Sequence, residues 1–484
     1  MPATQQLLID GHWRDAASGA THDVVNSYTR EAVTTQAAAG AADVDAAVSA
    51  AAAAFPAWSA LPGAERGALL SKAGDILESR GEQIAAAVSE ETAGTFGWGM
   101  FNVGLAAGMF RAAGEVAQQP MEEEVASAIP GLRSRAVHQP LGVCVGIAPW
   151  NAPVILGTRA VVWALALGNT VVLKASEQSP RVHGAIVAAL VDAGIPAGVV
   201  NLITNDPGDA AGVVGALIEH PATAHINFTG STRVGRIIAE KAAPLLKRTL
   251  LELGGKAPFL VLDDADLEAA AQAATFGAFM HSGQICMSTE RIIVDRSVQD
   301  AFLEKLAARA EALTTGSPFE QTTMVGPVVT EASSHHVGEL VDDARQHGAA
   351  IVSGGEGEGA LLSPTVVAGV TPQMRLYSEE SFGPVVAVIT ADGVDDAVRL
   401  ANDTEYGLSA AVFGRDIERA QSVAARIHSG ICHINGATVH DEPTAPFGGV
   451  KASGWGRFGS GQVLHEFTTT RWITVSEEPR HYPI

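Results

Sequence analysis

Four apolar, β-branched runs separated by helical stretches constrain this chain more than any other feature in it. Residues 142–147, 170–174, 198–203 and 225–228 read as buried strands, and 153–167, 180–193 and 208–219 carry apolar residues at helical spacing. Strands that alternate with helices at this spacing imply a parallel, doubly wound α/β sheet. Ligands of such sheets gather beyond the carboxyl ends of the strands. The loops that follow these four strands are therefore where chemistry is expected.

The rest of the chain is arranged around that unit. Residues 7–35 alternate apolar and polar and read as a small β segment, and helical period takes over at 43–54, 64–80 and 82–92. Pro56 and Pro62 are expected to separate the first two of these helices. Thr95-Phe96-Gly97-Trp98-Gly99-Met100-Phe101 gathers three aromatics in a chain that is only 5 % aromatic, which suits either packing between helices or one wall of an apolar pocket. Residues 121–139 turn from acidic (Glu122, Glu123, Glu124) to basic (Arg133, Arg135) and predict an extended hairpin, either a solvated one or one used for subunit contact. A second α/β region starts near Leu253, with strands at 258–262, 291–294, 384–390 and 431–434 and helices at 298–312 and 394–401. The closing stretch, 466–477, returns to β-like alternation and is expected to pair with a sheet of another subunit.

At 484 residues the length suggests about three domain-sized units. A formal charge of −22 argues against attraction to nucleic acid or to an anionic membrane surface. No apolar run reaches the roughly 18 residues of a membrane span. Cys144, Cys286 and Cys432 are scattered, without metal-ligand spacing. With a polar start lacking a basic-then-apolar leader, they point to free thiols in a reducing cytoplasm and to no bound metal.

Several loops carry residues suited to chemistry. Gly283-Gln284-Ile285-Cys286 brings a thiol out of an apolar, Ala-rich segment just before Ile292-Ile293-Val294. Cysteine is intrinsically nucleophilic, and a nearby helix N-terminus would lower its pKa, although a cysteine taken alone is more often a small buried hydrophobe. Pro149-Trp150-Asn151-Ala152-Pro153 follows the first strand, and an asparagine held between prolines can donate to a developing oxyanion or simply shape a turn. Lys174-Ala175-Ser176-Glu177 follows the second strand, where an acid can bond the ribose of a dinucleotide or stand as a solvated charge. Thr229-Gly230-Ser231-Thr232-Arg233-Val234-Gly235 follows the fourth, and its glycines and helix N-terminus suit a phosphate, without the GxGxxG spacing. Glu252, in Leu251-Glu252-Leu253-Gly254-Gly255-Lys256, is a carboxylate in apolar surroundings, suited to general base work or satisfied at a strand end.

Taken together and in this order, these segments resemble the aldehyde dehydrogenase superfamily over essentially the whole chain, with Glu380-Ser381-Phe382-Gly383-Pro384-Val385 and Pro446-Phe447-Gly448-Gly449 completing the match. The resemblance implies a Rossmann-like cofactor domain (1–120 and 141–252), an α/β catalytic domain (253–449) and a small β oligomerisation element (121–140 and 465–484). It implies Cys286 as the nucleophile, Asn151 with the Cys286 N–H as the oxyanion site, and Glu252 as the base that activates the hydrolytic water. It assigns Ser231 to the cofactor pyrophosphate, Lys174 and Glu177 to the adenosine ribose, Glu380 to the nicotinamide ribose and Phe382 to the nicotinamide face, with Trp150, Gly230, Gly235 and Leu253 in the same site. Glu177 favours NAD, while Lys174 and Ser176 leave NADP open.

The segment 147–157 is most similar to the branch acting on aromatic aldehydes such as vanillin, benzaldehyde and salicylaldehyde. Phe96, Trp98, Phe101, Ile155 and Phe447 are expected to line the tunnel, and Arg159 to reach a phenolic or carboxylate substituent or to form a salt bridge. The alternatives are an aliphatic semialdehyde or betaine-aldehyde dehydrogenase, and an inactive structural protein of the same fold. Assembly as a homodimer or homotetramer is implied by the family.

Overall fold

The parallel sheet expected between residues 141 and 228 forms the middle of a larger one. In the computed structural model, which describes residues 3–480 and 482, five strands run parallel in the spatial order Arg248–Glu252, Thr223–Thr229, Val143–Ile147, Thr170–Lys174, Val200–Ile203. Antiparallel strands extend it at both edges: Leu7–Ile9 and His12–Arg14 on one side, Gly454–Trp455 on the other. The order reverses between Val143–Ile147 and Thr223–Thr229, so the crevice at their carboxyl ends is the switch point at which such sheets bind ligands. The residues of the expected terminal segments at positions 1, 2, 481, 483 and 484 lie outside the described residues.

The central strands are wholly buried because helices cover both faces, and their near-continuous Val, Leu and Ile content follows from that. Helix Pro153–Ala166 is buried all round, which its apolar composition requires. It packs so closely on Val143–Ile147 that a Cβ on Gly146 would lie 2.5 Å from the Ala160 carbonyl oxygen.

A seven-stranded second sheet is built the same way, in the order 350–353, 365–368, 385–391, 289–295, 257–261, 411–413, 433–434, parallel except for its first strand. Helices Leu267–Phe279 and Gln299–Glu311 pack on one side of it, and Glu331–Gln346 and Gly393–Asn402 contribute to the core on the other. Among the described residues, no single helix is long and apolar enough to cross a membrane.

One sequence expectation needs correction. Pro56 does not end the first helix, which runs unbroken from Ala41 to Ala60. Burial of Val44, Ala47, Val48, Ala51 and Trp58 along one face outweighs the single hydrogen bond that a helical proline removes. The C-terminal strand Thr468–Ser476 belongs to a small sheet built from the two segments 121–140 and 465–484. It pairs antiparallel with Leu132–Pro140 of its own chain over nine residues, and Glu122–Glu124 completes this small sheet from the other side.

Gly146→Ala would force the covering helix away from the sheet, and overpacking of this kind costs about 1–3 kcal/mol. A lower thermal unfolding midpoint by calorimetry is the expected outcome, and an unchanged midpoint would show that the contact yields freely.

Candidate active site

Cys286 owes its position to a turn that L-residues resist. His281, Ser282 and Gly283 all have positive φ (49°, 56° and 70°) and swing the chain from the end of helix Leu267–Phe279 toward strand Thr289–Asp295. Gly283 must be glycine, since a Cβ there would lie 2.1 Å from the Gly383 carbonyl oxygen. Hydrogen bonds fix the turn: Ser282 Oγ donates to the Gly326 carbonyl at 2.7 Å, and Gln284 Oε1 accepts from the Val329 N–H at 2.8 Å. Cys286 is partly exposed between buried neighbours. Its backbone N–H makes no hydrogen bond among the described residues.

Two groups from the first sheet meet it. Asn151 is buried, and its amide Nδ2 donates to the Gln284 carbonyl at 2.9 Å, which uses one of its two hydrogens and locks the side chain beside the cysteine turn. Trp98 Nε1 donates to the Asn151 carbonyl at 2.9 Å, while its ring stacks on His281 (4.8 Å) and Phe101 (5.5 Å). Glu252 ends strand Arg248–Glu252, is 2 % exposed, and neither carboxylate oxygen has a hydrogen-bond partner. Burial pushes its pKa up to about 8, against the pull of the Arg159 and Arg457 guanidiniums. Burial pushes the Cys286 thiol up to about 12, and the Glu252 and Glu380 carboxylates raise it further.

Ala152, Ile155, Leu156, Phe447 and Trp98 share one apolar cluster with Cys286. Arg159 lies two turns along the helix from Asn151, 3 % exposed, and is ion-paired to Asp441 with its guanidinium 4.1 Å from the Phe447 ring centroid. Of the two uses expected for Arg159 the ion pair is present, though it is buried rather than at the surface. Phe101 is 46 % exposed, and Phe96, at the start of helix Phe96–Val116, is partly buried and takes no part in the Trp98 stack.

The second cluster lies along the switch-point crevice. Ser231 caps helix Thr232–Ala242, accepting from the Val234 N–H, and Gly235 is bare against Leu253, where a Cβ would lie 2.4 Å from Leu253 Cδ2. The Gly230 N–H is committed to the Glu252 carbonyl at 3.0 Å. Lys174 is ion-paired to Glu177, which also accepts from Asn205 Nδ2 at 3.0 Å. Glu380 accepts from the Gly255 N–H at 2.8 Å, and burial pushes its pKa up to about 7. Phe382 has φ +45° and meets Trp150 edge-on at 5.8 Å.

The profile of the aldehyde dehydrogenase family matches residues 13–473. The chain belongs to that family. It is 54 % identical over 479 residues to a vanillin dehydrogenase from Pseudomonas fluorescens, covering 99 % of each chain. It is 38 % identical to a benzaldehyde dehydrogenase from Pseudomonas putida, covering 98 % and 97 %. A salicylaldehyde dehydrogenase from Pseudomonas putida G7, solved with salicylaldehyde, superposes with a TM-score of 0.98 at 41 % identity over the full length of both chains.

Family membership brings a nicotinamide cofactor, and the crevice fits one. The N-terminus of Thr232–Ala242, at the carboxyl end of strand Thr223–Thr229, offers dipole and N–H groups to a phosphate.

Sequence reasoning passed over three groups. Glu290 is buried and paired with Lys256 at 2.7 Å, and it accepts from Ser381 and Phe382 N–H, which holds the loop of Glu380 in place. His281 supports Trp98, and Asp441 partners Arg159. Lys256 inside an apolar strand run was the available signal for the first, because a buried lysine needs a counter-ion. The other two show no local signal.

With its thiol held up at about 12, Cys286 is expected to react with iodoacetamide in the free protein far more slowly at pH 7 than an unperturbed thiol of pKa about 8.5. At pH 9 Glu252 is ionised and opposes the thiolate, so Glu252→Gln should accelerate alkylation. Mass-spectrometric rates at Cys286 decide this, and a slower variant would contradict the assigned electrostatics.

Proposed function

We propose that this chain oxidises an aromatic aldehyde to its carboxylic acid with NAD, using Cys286 as nucleophile. The observation that carries the reading is the meeting of a partly exposed thiol with a locked asparagine amide and an unpartnered, buried carboxylate. As Cys286 gives its proton to solvent, Sγ bonds the carbonyl carbon, the C=O π pair moves to oxygen, and the resulting oxyanion lies between the second Asn151 amide hydrogen and the free Cys286 N–H. The nicotinamide, when bound, accepts the hydride that this carbon gives up. A thioester on Cys286 remains. Glu252 then takes a proton from water, whose oxygen attacks the acyl carbon, and the C–S bond breaks to release the acid and restore the thiol.

Ser231 and the helix behind it would hold the pyrophosphate, Lys174 and Glu177 the adenosine ribose, and Glu380 the nicotinamide ribose, with Phe382 and Trp150 shaping the ring site. Glu177 lies fixed between Lys174 and Asn205 and would repel a 2′-phosphate, which favours NAD over NADP. The aromatic assignment is supported by small Ala152 and by apolar Ile155, Phe447 and Trp98 in the core cluster against which Cys286 packs, and by the resemblance to vanillin and benzaldehyde dehydrogenases. Buried Arg159 speaks against a cationic aldehyde. Residues 1–120 and 141–252 serve as the cofactor domain and 253–449 as the catalytic domain. The small sheet joins two copies in a dimer or tetramer, which the 71 % exposed Trp472 on its outer strand suits. Three free cysteines suit the cytoplasm.

Glu252→Gln is expected to lower steady-state turnover about 100- to 10,000-fold, the usual worth of a positioned base, while keeping a stoichiometric burst of NADH. Cys286→Ala should give no burst, and activity in it would refute the nucleophile. In the wild type, thioester hydrolysis should rise with pH through about 8 as Glu252 loses its proton, a limb absent from Glu252→Gln. Comparing kcat/KM for vanillin, benzaldehyde, hexanal and succinic semialdehyde tests the substrate class. A preference for the aliphatic pair would sink it.

A further inference from the structure

Asp441 is a buried carboxylate whose bonding is left half complete. It comes from the loop before Phe447, its side chain is 9 % exposed, and one carboxylate oxygen, Oδ2, is taken by Arg159. The other, Oδ1, is fully buried and has no partner. A buried carboxylate oxygen left without a donor costs about 1–3 kcal/mol or more, so such an atom calls for something that satisfies it. Arg159 lies over Phe447, and the next residue, Gly448, packs so closely on Glu252 that a Cβ there would lie 2.8 Å from Glu252 Oε1, which places the pair near the proposed base. The Arg159 guanidinium lies over Phe447 (4.1 Å) and toward Phe458 (5.7 Å), and this stacking fixes the plane in which Asp441 is held.

Resting on the aromatic assignment above, we propose that Asp441 is a specificity-determining residue whose Oδ1 accepts a hydrogen bond from a hydroxyl group on the aldehyde's ring. Arg159 is the positioning residue: it orients Asp441 through Oδ2 and turns Oδ1 free. A ring that donates a hydroxyl completes the carboxylate's shell, whereas an unsubstituted or methylated ring leaves it stranded, and sites built to bond a hydroxyl reject analogues lacking one far more sharply than apolar pockets reject a missing methylene. The same contact suits the chemistry. A carboxylate beside an ortho or para hydroxyl discourages its ionisation, and the neutral phenol leaves the carbonyl more electrophilic than the phenolate, which would feed electron density into it.

The test measures kcat and KM for vanillin, its methyl ether 3,4-dimethoxybenzaldehyde, benzaldehyde and hexanal. The proteins are the wild type, Asp441→Asn and the paired variant Arg159→Met/Asp441→Leu, which avoids stranding a buried guanidinium. The wild type should prefer vanillin to its methyl ether by about tenfold to a hundredfold, the worth of one satisfied buried acceptor. Both variants should compress that ratio, the double one to near unity, with most of the change in KM because the hydroxyl is bound alike before and during reaction. The ratio within each protein is the readout, which cancels differences in overall activity among the variants. A wild type that handles vanillin and its ether alike, or ratios unmoved by either variant, would overturn the inference and leave the pair a structural one. If benzaldehyde matches vanillin while both exceed hexanal, only the role of Asp441 fails. Should hexanal exceed every aromatic, the aromatic assignment itself fails with it.

Discussion

Everything at this site hangs on the left-handed turn His281-Ser282-Gly283. Three successive residues with positive φ are unfavourable, the first two more so because they carry side chains. The surroundings must over-determine the turn for it to persist. They do so from three directions: Trp98 stacked on His281, the Gly326 carbonyl on Ser282, and the Gly383 carbonyl pressed against Gly283. The gain is geometric. A helix continued past Phe279 would carry Cys286 around its axis, whereas the reversal lifts Sγ out of a buried segment and leaves its N–H unpaired.

Exclusion of water around that cysteine sets the electrostatics. Glu252, Glu380 and Cys286 are all pushed toward their neutral forms by burial, to about 8, 7 and 12. Neutral groups can share one small volume where three charges could not. The carboxylates are thus poised near working pH while the thiol is held in reserve, and a separation of this kind divides the roles of base and nucleophile between groups. Arg159 and Arg457 limit the rise at Glu252, so the guanidiniums tune the base without touching it.

Much of this was legible in the sequence because strands, helix starts and glycine-rich loops leave local marks. Val143–Ile147 and Thr170–Lys174 were visible as β-branched runs, and the loops at their ends carry Asn151, Lys174 and Glu177 as expected of a doubly wound sheet. Pro56 misled because a proline's cost is local while the apolar face that outweighs it is tertiary. The grouping of Thr468–Ser476 with a hairpin more than 300 residues earlier came from the family resemblance alone, because strand alternation does not name its neighbour. His281 and Asp441 were silent for a related reason. Their roles exist only in contacts with Trp98 and Arg159, and nothing within a few residues of either marks them.

The division of the site between two sheets follows from the same contacts. Asn151 lies in the loop after a strand of the first sheet and Glu252 ends another, while Cys286 and Glu380 precede strands of the second. What joins them is short-range and specific: Asn151 Nδ2 to the Gln284 carbonyl at 2.9 Å, Gly255 N–H to Glu380 at 2.8 Å, and Gly255 packed where a Cβ would lie 2.3 Å from the Cys286 carbonyl oxygen. A shift of one sheet against the other by even an ångström would therefore loosen the oxyanion site and displace the base together, since both depend on the one interface. The apolar cluster containing Ile155, Ile285, Met287, Leu408 and Phe447 draws on both halves of the chain and resists that shift. Packing across the interface therefore holds Asn151, Glu252, Cys286 and Glu380 in the one arrangement on which the proposed mechanism depends.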